Sequence, residues 1–351
     1  MAAINRLERA ALAAIAALTV LAGIARYAGW ASLLAFALAT VALAGLAWIV
    51  SFGTGELGER FGPGVTGLLQ STLGNLPELF VVLFALNAGE VTVAQSALIG
   101  SVFANALLVL GAVIVVGARH APDGVMRFNP RLPRDTATLM LLTSFIIVLV
   151  GLSFAASDHA SHHVKTISTI AAAVLLLVYL TWVVPYARDD ALPHADAKPR
   201  LGVALAVSLL VIAGAGSAFV SDWFVHALEP AIHQLGVSRT FAGLVIVAIA
   251  GNAVENVAGL VLAARGRSDL AISVVKNSVV QIAAFLFPLL VILSLAFTKA
   301  LTFSLAPVFT GALALTAIAI WQITDDGEAR AYEGWALIAT YAILATITLY
   351  E

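Results

Sequence analysis

Gly74-Asn75-Leu76-Pro77-Glu78 lies inside an apolar run from Val65 to Leu86, and the reading of those five residues decides the fold. A carboxylate midway through a stretch long enough to cross a bilayer costs from roughly 3 to well over 10 kcal/mol, so an acid in that position marks a functional group. Pro77 lacks a backbone N–H and collides with the preceding turn, and Gly74 adds little helix propensity, which frees main-chain carbonyls near Asn75 about midway through the span. Freed carbonyls beside a carboxylate suit a hard cation. The competing reading is a kinked helix whose Glu78 is protonated or satisfied by a neighbouring helix. The pattern returns, however, as Gly251-Asn252-Ala253-Val254-Glu255, 177 residues further on.

Composition sets the class around this pair. A chain of 351 residues that is 61% hydrophobic and 11% charged, with a mean hydropathy of +1.01, is a polytopic all-α membrane protein whose first partner is the lipid bilayer. The net charge of -2, with no basic cluster outside short loops, offers no surface for nucleic acid. With no cysteine there is no disulfide and no thiolate metal site. His159, His162 and His163 share one short loop and have the chemistry of a transition-metal site, but a solvated loop is the adopted reading. There is no nucleophile with a base at usable spacing, no HExxH and no phosphate-binding glycine loop, so the chain is not expected to be an enzyme and no cofactor is expected.

Eleven candidate spans follow from stretches of about 20 apolar residues, the length that about 30 Å of hydrocarbon requires. They fall near 10–28, 31–53, 64–87, 91–118, 135–156, 165–187, 201–221, 238–264, 269–298, 302–322 and 333–350. The first follows Arg6 and Arg9 as a signal peptide would, but no polar mature domain comes after it, so it is expected to stay as an anchor. With the N-terminus in the cytoplasm, 13 Lys or Arg fall in cytoplasmic loops and 4 in the opposite ones. That split favours a cytoplasmic N-terminus and a C-terminus on the far side.

Setting the first span aside leaves ten, and the motif falls on the second helix of each group of five. Because five is odd, the second group enters the membrane upside down relative to the first, an inverted repeat whose site is expected at the midplane on discontinuous helices. The expected organisation is an accessory helix over 1–29, a first repeat over 30–187, a cytoplasmic linker over 188–200 and a second repeat over 201–351. The helix after each motif carries polar and small residues: Gln95, Ser96, Gly100, Ser101 and Asn105 after Glu78, and Ser273, Asn277, Ser278 and Gln281 after Glu255. Small residues at such spacing also serve close helix packing. Asn105 and Gln281, amides deep in their spans, are expected to orient a carboxylate or lend a carbonyl oxygen to an ion.

The doubled Gly-Asn-x-x-Glu, the segment from Leu68 through Phe84–Glu90 to Leu98–Asn105, and the stretch from Thr240–Leu244 through Gly251–Glu255 to Gln281–Phe285 closely resemble the two alpha repeats of the cation/Ca2+ exchanger superfamily, specifically its Ca2+/H+ exchanger (CAX) branch. The resemblance implies Ca2+ as transported substrate, exchanged for H+ and held between the motif helices. It implies Glu78 and Glu255 as the metal-binding carboxylates, with Gly74, Asn75, Gly251 and Asn252 beside them. It makes Ser101, Asn105, Ser278 and Gln281 the supporting shell. The branch often has an acidic segment between its halves; the linker here has only Asp189, Asp190 and Asp196 among basic residues and is read as a plain solvated linker.

Three departures bear on the substrate. Asn256 stands where the branch places His, which removes a titratable group from the proton path. Asn277-Ser278-Val279-Val280-Gln281 stands where it reads Gly-Ser-Ser-x-Gln. Lys276 precedes it, either snorkelling to the cytoplasmic interface or facing the site as a fixed counter-charge. Charge counting gives a mechanism: two facing carboxylates in low dielectric require Ca2+, protons or several Na+ at all times, and would titrate as a coupled pair. The expected function is Ca2+ export in exchange for H+ across a prokaryotic inner membrane. The alternatives are a Na+-driven or other divalent-cation exchanger, and a non-transporting scaffold or sensor with Lys276 filling the site.

Overall fold

A computed structural model describes residues 4–61, 73–129, 131–188 and 200–351, with all side chains in those ranges except 58–61, 131–135, 185–188 and 254–255. The helices are α1 (Arg6–Tyr27), α2 (Ser32–Phe61), α3 (Leu76–Asn87), α4 (Val91–His120), α5 (Arg131–Ala155), α6 (Val164–Arg188), α7 (Val203–Leu235), α8 (Arg239–Gly251), α9 (Ala253–Ala264), α10 (Ser268–Ala296), α11 (Pro307–Thr324) and α12 (Ala331–Leu349). Among the described residues nine helices are long and apolar enough to cross a membrane. Counting α8 and α9 as one span bent by 57° makes ten, and α3 is a shorter apolar helix. The chain is therefore an integral membrane protein of the all-α class. The first part of the third expected span, and the linker from 189 to 199, lie outside the described residues.

Two features depart from the expected spans. The seventh span, placed at 201–221, continues as one helix to Leu235 and carries Pro230 inside it. It does so because Asp222 and His226 point outward, so the helix loses its apolar character without meeting a cap until Gly236, whose φ of 65° ends it in the left-handed region. The second is a strand pair. Val125–Arg127 (β1) and Glu328–Arg330 (β2) form an antiparallel ladder with Met126 opposite Ala329, and Arg127 pairs with both Asp123 and Glu328 at 2.7 and 3.1 Å. Hydrogen bonding from Arg127 and from the Val125 N–H holds the Asp123 carboxyl below the usual carboxylate range.

Contacts divide the chain into two compact units, each drawing on both halves of the sequence. The first comprises residues up to Ala88, Leu180–Val237 and Ala250–Val254. Here α2 lies along α7, with Gly53 against Leu210, Gly216 against Leu46 and the rings of Phe36 and Phe224 tilted against each other at 4.9 Å. α1 packs on both, Ile15 filling the space over Gly45 and Trp223 the space over Gly23. The ends of these helices are tied by charge. Glu56, 4% exposed, accepts from the backbone N–H of Arg200 and Leu201 and from the Arg200 guanidinium, whose Nη1 reaches Glu8 at 2.9 Å. A buried carboxylate is tolerated because four donors surround it.

The second unit comprises Gly89–Tyr179, Ser238–Ile249 and Glu255–Glu351. Its core is the α4 helix, whose residues Val93–Ala94 and Ser96–Leu107 are all buried, with Phe103, Phe287 and Phe303 among its largest enclosed side chains. Gly100 lets α4 meet the Leu244 backbone of α8 directly, since a Cβ there would run into the Cα and carbonyl of Leu244. Three π-helical segments, Ala104–Val109, Ala242–Val247 and Gln281–Leu286, interrupt α4, α8 and α10. The last precedes Pro288, and its widened turn gives the missing N–H and the pyrrolidine ring room that a regular helix lacks. No local cause is evident for the other two.

Candidate functional site

The first motif forms the N-terminal end of α3. Gly74 and Asn75 sit in a turn, Leu76 and Pro77 begin the helix, and Pro at this position gives up an N–H that would have had no partner. Glu78 is consequently on the first turn, 3% exposed, with both carboxylate oxygens shielded from water. Asn75 is 4% exposed. A break in the backbone, an amide and a carboxylate are thus buried within four residues.

The second motif lies at the break between α8 and α9, where the chain bends at Gly251 and Asn252. Asn252 is 1% exposed. Gly251 faces the first motif: a Cβ there would stand 3.9 Å from the Cβ of Glu78. The first unit therefore brings Asn75 and Glu78 together with Gly251 of the second motif, residues far apart in sequence. Glu255 belongs to α9, and its side chain is outside the described residues. α7 adds groups that the sequence did not single out. Ser221 donates to the Pro77 carbonyl at 3.4 Å, Gly214 lies beside Leu76, and Ser217 is completely buried between them. A serine in a long apolar helix is too ordinary to be noticed without knowing its neighbours.

In the second unit the amides and hydroxyls after the motifs meet one another. Asn105, 1% exposed, donates from Nδ2 to Ser278 Oγ at 3.3 Å, and Ser101 is buried one turn before it. Asn105 lies in the first π segment and Gln281 opens the third. π-bulges recur at functional sites because they turn a side chain out of register with its helix. Gln281 and Asn277 are half-buried, as is Asn256, whose Oδ1 is shielded without a hydrogen-bond partner among the described residues. Gln95 is engaged elsewhere, donating to the carbonyls of Thr302 and Ser304, and Ser96 bonds back to Thr92 within its own helix.

Lys276 takes a course of its own. Two residues before Ser278 it stands about 200° round the helix from it, and its ammonium donates to Thr324 Oγ1 at 2.7 Å at the end of α11. At 3% exposure the stem runs through protein rather than along an exposed face, and Asp325 is the carboxylate whose charge acts on it. His159, His162 and His163 form an exposed 3-10 turn capped by Asp158.

A family model described as sodium/calcium exchanger protein matches residues 31–185 and 205–350. The chain belongs to that exchanger family. Its members are cation antiporters rather than enzymes, and its two matched segments each contain one Gly-Asn-x-x-Glu motif. The exchanger is 31% identical over 327 residues to the vacuolar calcium ion transporter of Schizosaccharomyces pombe, covering 90% of this chain and 79% of that one. It is 30% identical to the Ca2+/H+ antiporter of Synechocystis, covering 88% of this chain and 89% of that one. The solved structure of native YfkE superposes with a TM-score of 0.82 at 28% identity, covering 97% of this exchanger and 100% of that chain.

Proposed function

We propose that this exchanger exports Ca2+ from the cytoplasm in exchange for H+, with Glu78 and Glu255 as the carboxylates that hold either the cation or the protons. The observation that carries this reading is the approach of Gly251 to Glu78, which joins two buried Gly-Asn breaks around a carboxylate kept from water. Asn75 and Asn252 add amide oxygens, and Ser101, Asn105, Ser278 and Gln281 form the supporting shell. Relatives named calcium ion transporter and Ca2+/H+ antiporter agree with the choice of ions. The two motifs sit in halves at 30–187 and 201–351 that are inserted with opposite orientation, after an accessory helix over 1–29 and joined by a cytoplasmic linker over 188–200. The protein resides in a prokaryotic inner membrane with its N-terminus in the cytoplasm.

The mechanism follows from charge. A carboxylate pair in low dielectric is costly unless a divalent cation or protons compensate it. If the mobile elements cross only in a compensated state, Ca2+ on one stroke and protons on the other, exchange is obligatory and a proton gradient drives Ca2+ outward. The test is 45Ca2+ uptake into proteoliposomes with an imposed pH gradient, a Na+ gradient or neither. Uptake driven by the pH gradient and lost in both Glu78→Gln and Glu255→Gln is expected. Uptake unchanged in both variants would sink the site, and uptake that follows the Na+ gradient alone would change the counter-ion.

A further inference from the structure

We infer that Ser217 of α7 supplies a further oxygen ligand to the transported divalent cation at the Gly74–Glu78 break. The inference rests on the proposed Ca2+ site and extends it to a helix outside both motifs.

The hydroxyl of a serine or threonine inside an apolar helix normally satisfies itself by donating to the carbonyl four residues earlier. Thr19, Thr40 and Thr54 in α1 and α2 do so, and Ser208 does so in α7 itself, donating to Ala204. Ser217 does not. It is completely buried, and its Oγ has neither a backbone nor a side-chain partner among the described residues. Buried polar groups are satisfied in the large majority of cases, so a hydroxyl that forgoes the partner in its own helix requires an explanation.

Its position supplies one. Gly214, Ser217 and Ser221 are spaced i, i+3 and i+7, which puts them on one face of α7. The outer two touch the first motif: Gly214 lies beside Leu76, and Ser221 donates to the carbonyl of Pro77. Ser217 lies between those contact points along α7, which places it level with the buried turn at Asn75 and Glu78. Gly251 lies against the Cβ of the same Glu78. A Ca2+ ion takes six to eight oxygens, more than two carboxylates and two amides provide with single contacts, and a neutral hydroxyl adds one without adding charge to be compensated.

Because the chain has no cysteine, one introduced thiol can report on this position alone. Ser217→Ala is expected to raise the Ca2+ concentration for half-maximal uptake about three- to tenfold, the range of one lost ligand bond, with the maximal rate retained. Ser217→Cys places a soft ligand among hard ones. Its uptake is expected to become sensitive to Cd2+ at concentrations that leave the parent untouched, and a cationic methanethiosulfonate reagent is expected to block it, more slowly when Ca2+ is present. A hydroxyl that merely fills space would change the yield or thermal stability of Ser217→Ala but would confer neither Cd2+ sensitivity nor Ca2+ protection on Ser217→Cys. An unchanged half-saturating concentration in Ser217→Ala, or a Ser217→Cys variant indifferent to Cd2+ and to the reagent, overturns the inference. Glu78→Gln measured alongside separates the two levels: its loss of uptake with an indifferent Ser217 leaves the carboxylate site standing, and its retention of uptake removes both.

Discussion

Gly251 and Lys276 show how far a single residue's surroundings decide its role. A methyl group at Gly251 would make ordinary contact with the Glu78 Cβ at 3.9 Å, whereas a longer side chain has to displace the carboxylate. Gly251→Ala is therefore expected to keep pH-driven Ca2+ uptake, and Gly251→Leu to lower it by about tenfold or more while still entering the membrane, since small displacements of a ligand are enough to lose that much. Proteoliposome uptake normalised to inserted protein checks both. Lys276 points at α11, and Thr324 keeps its own bond to the Ile320 carbonyl when the ammonium is removed. Lys276→Met is expected to leave uptake within about twofold of the parent, because the replaced charge stands on the helix face away from Ser278. A parent that transports only after this substitution would mean that the ammonium occupies the ion's place. The sequence set Glu78, Asn75 and Asn252 inside apolar runs, and the structure buries all three. It left the direction of Lys276 open, because that depends on Thr324, 48 residues away. Ser217 was invisible for another reason: its significance lies in a bond to its own helix that is absent among the described residues.

At the level of elements, the close crossing of α4 and α8 depends on which glycines face another backbone. Gly100 meets the Cα and carbonyl of Leu244, atoms that no rotamer change can move, and Gly243 meets Ser96 on the same crossing. Gly311 in α11 has nothing within 4 Å of where a Cβ would be. Gly100→Ala is accordingly expected to destabilise the protein by on the order of 1 to 3 kcal/mol through forced separation of the helices. Gly311→Ala is expected to be neutral or stabilising by up to about 1 kcal/mol through better helix propensity. Thermal midpoints in detergent, compared for the two variants, test the contrast; equal losses would show that the crossing is looser than the contacts imply. Hydropathy located the apolar helices because each must satisfy its own backbone in lipid. It could not locate the three π segments, whose extra residue leaves no trace in composition. It extended the seventh span too little, because Asp222 and His226 on an outward face end the apolar run but not the helix. The three-residue strands β1 and β2 were also missed, since their pairing partner is about 200 residues distant and neither is long enough to show alternation.

For the molecule as a whole, the strand pair carries an argument that the loop charges alone did not. β1 follows α4 and β2 precedes α12, so their ladder requires both loops to emerge on the same side of the membrane. Six crossings separate them when α8 and α9 count as one span, and an even number of crossings meets that requirement. The charge split of 13 to 4 favours the cytoplasm as this side, in line with the proposed orientation. The proposed opposite insertion of the two halves then makes a sharper demand. The loop after the third helix of the first half contains Pro122, the equivalent loop of the second half contains Lys299, and the two must face opposite sides. Both residues are exposed, and the absence of cysteine allows one thiol to be placed at a time. A membrane-impermeant maleimide applied to intact cells is expected to label Lys299→Cys and to spare Pro122→Cys, which should react only after the membrane is opened. Labelling of both from one side would mean that the halves are inserted alike, and the two glutamates would then approach the membrane centre from the same face. The inverted arrangement, and with it the expectation that Glu78 and Glu255 share one ion, would not survive that result.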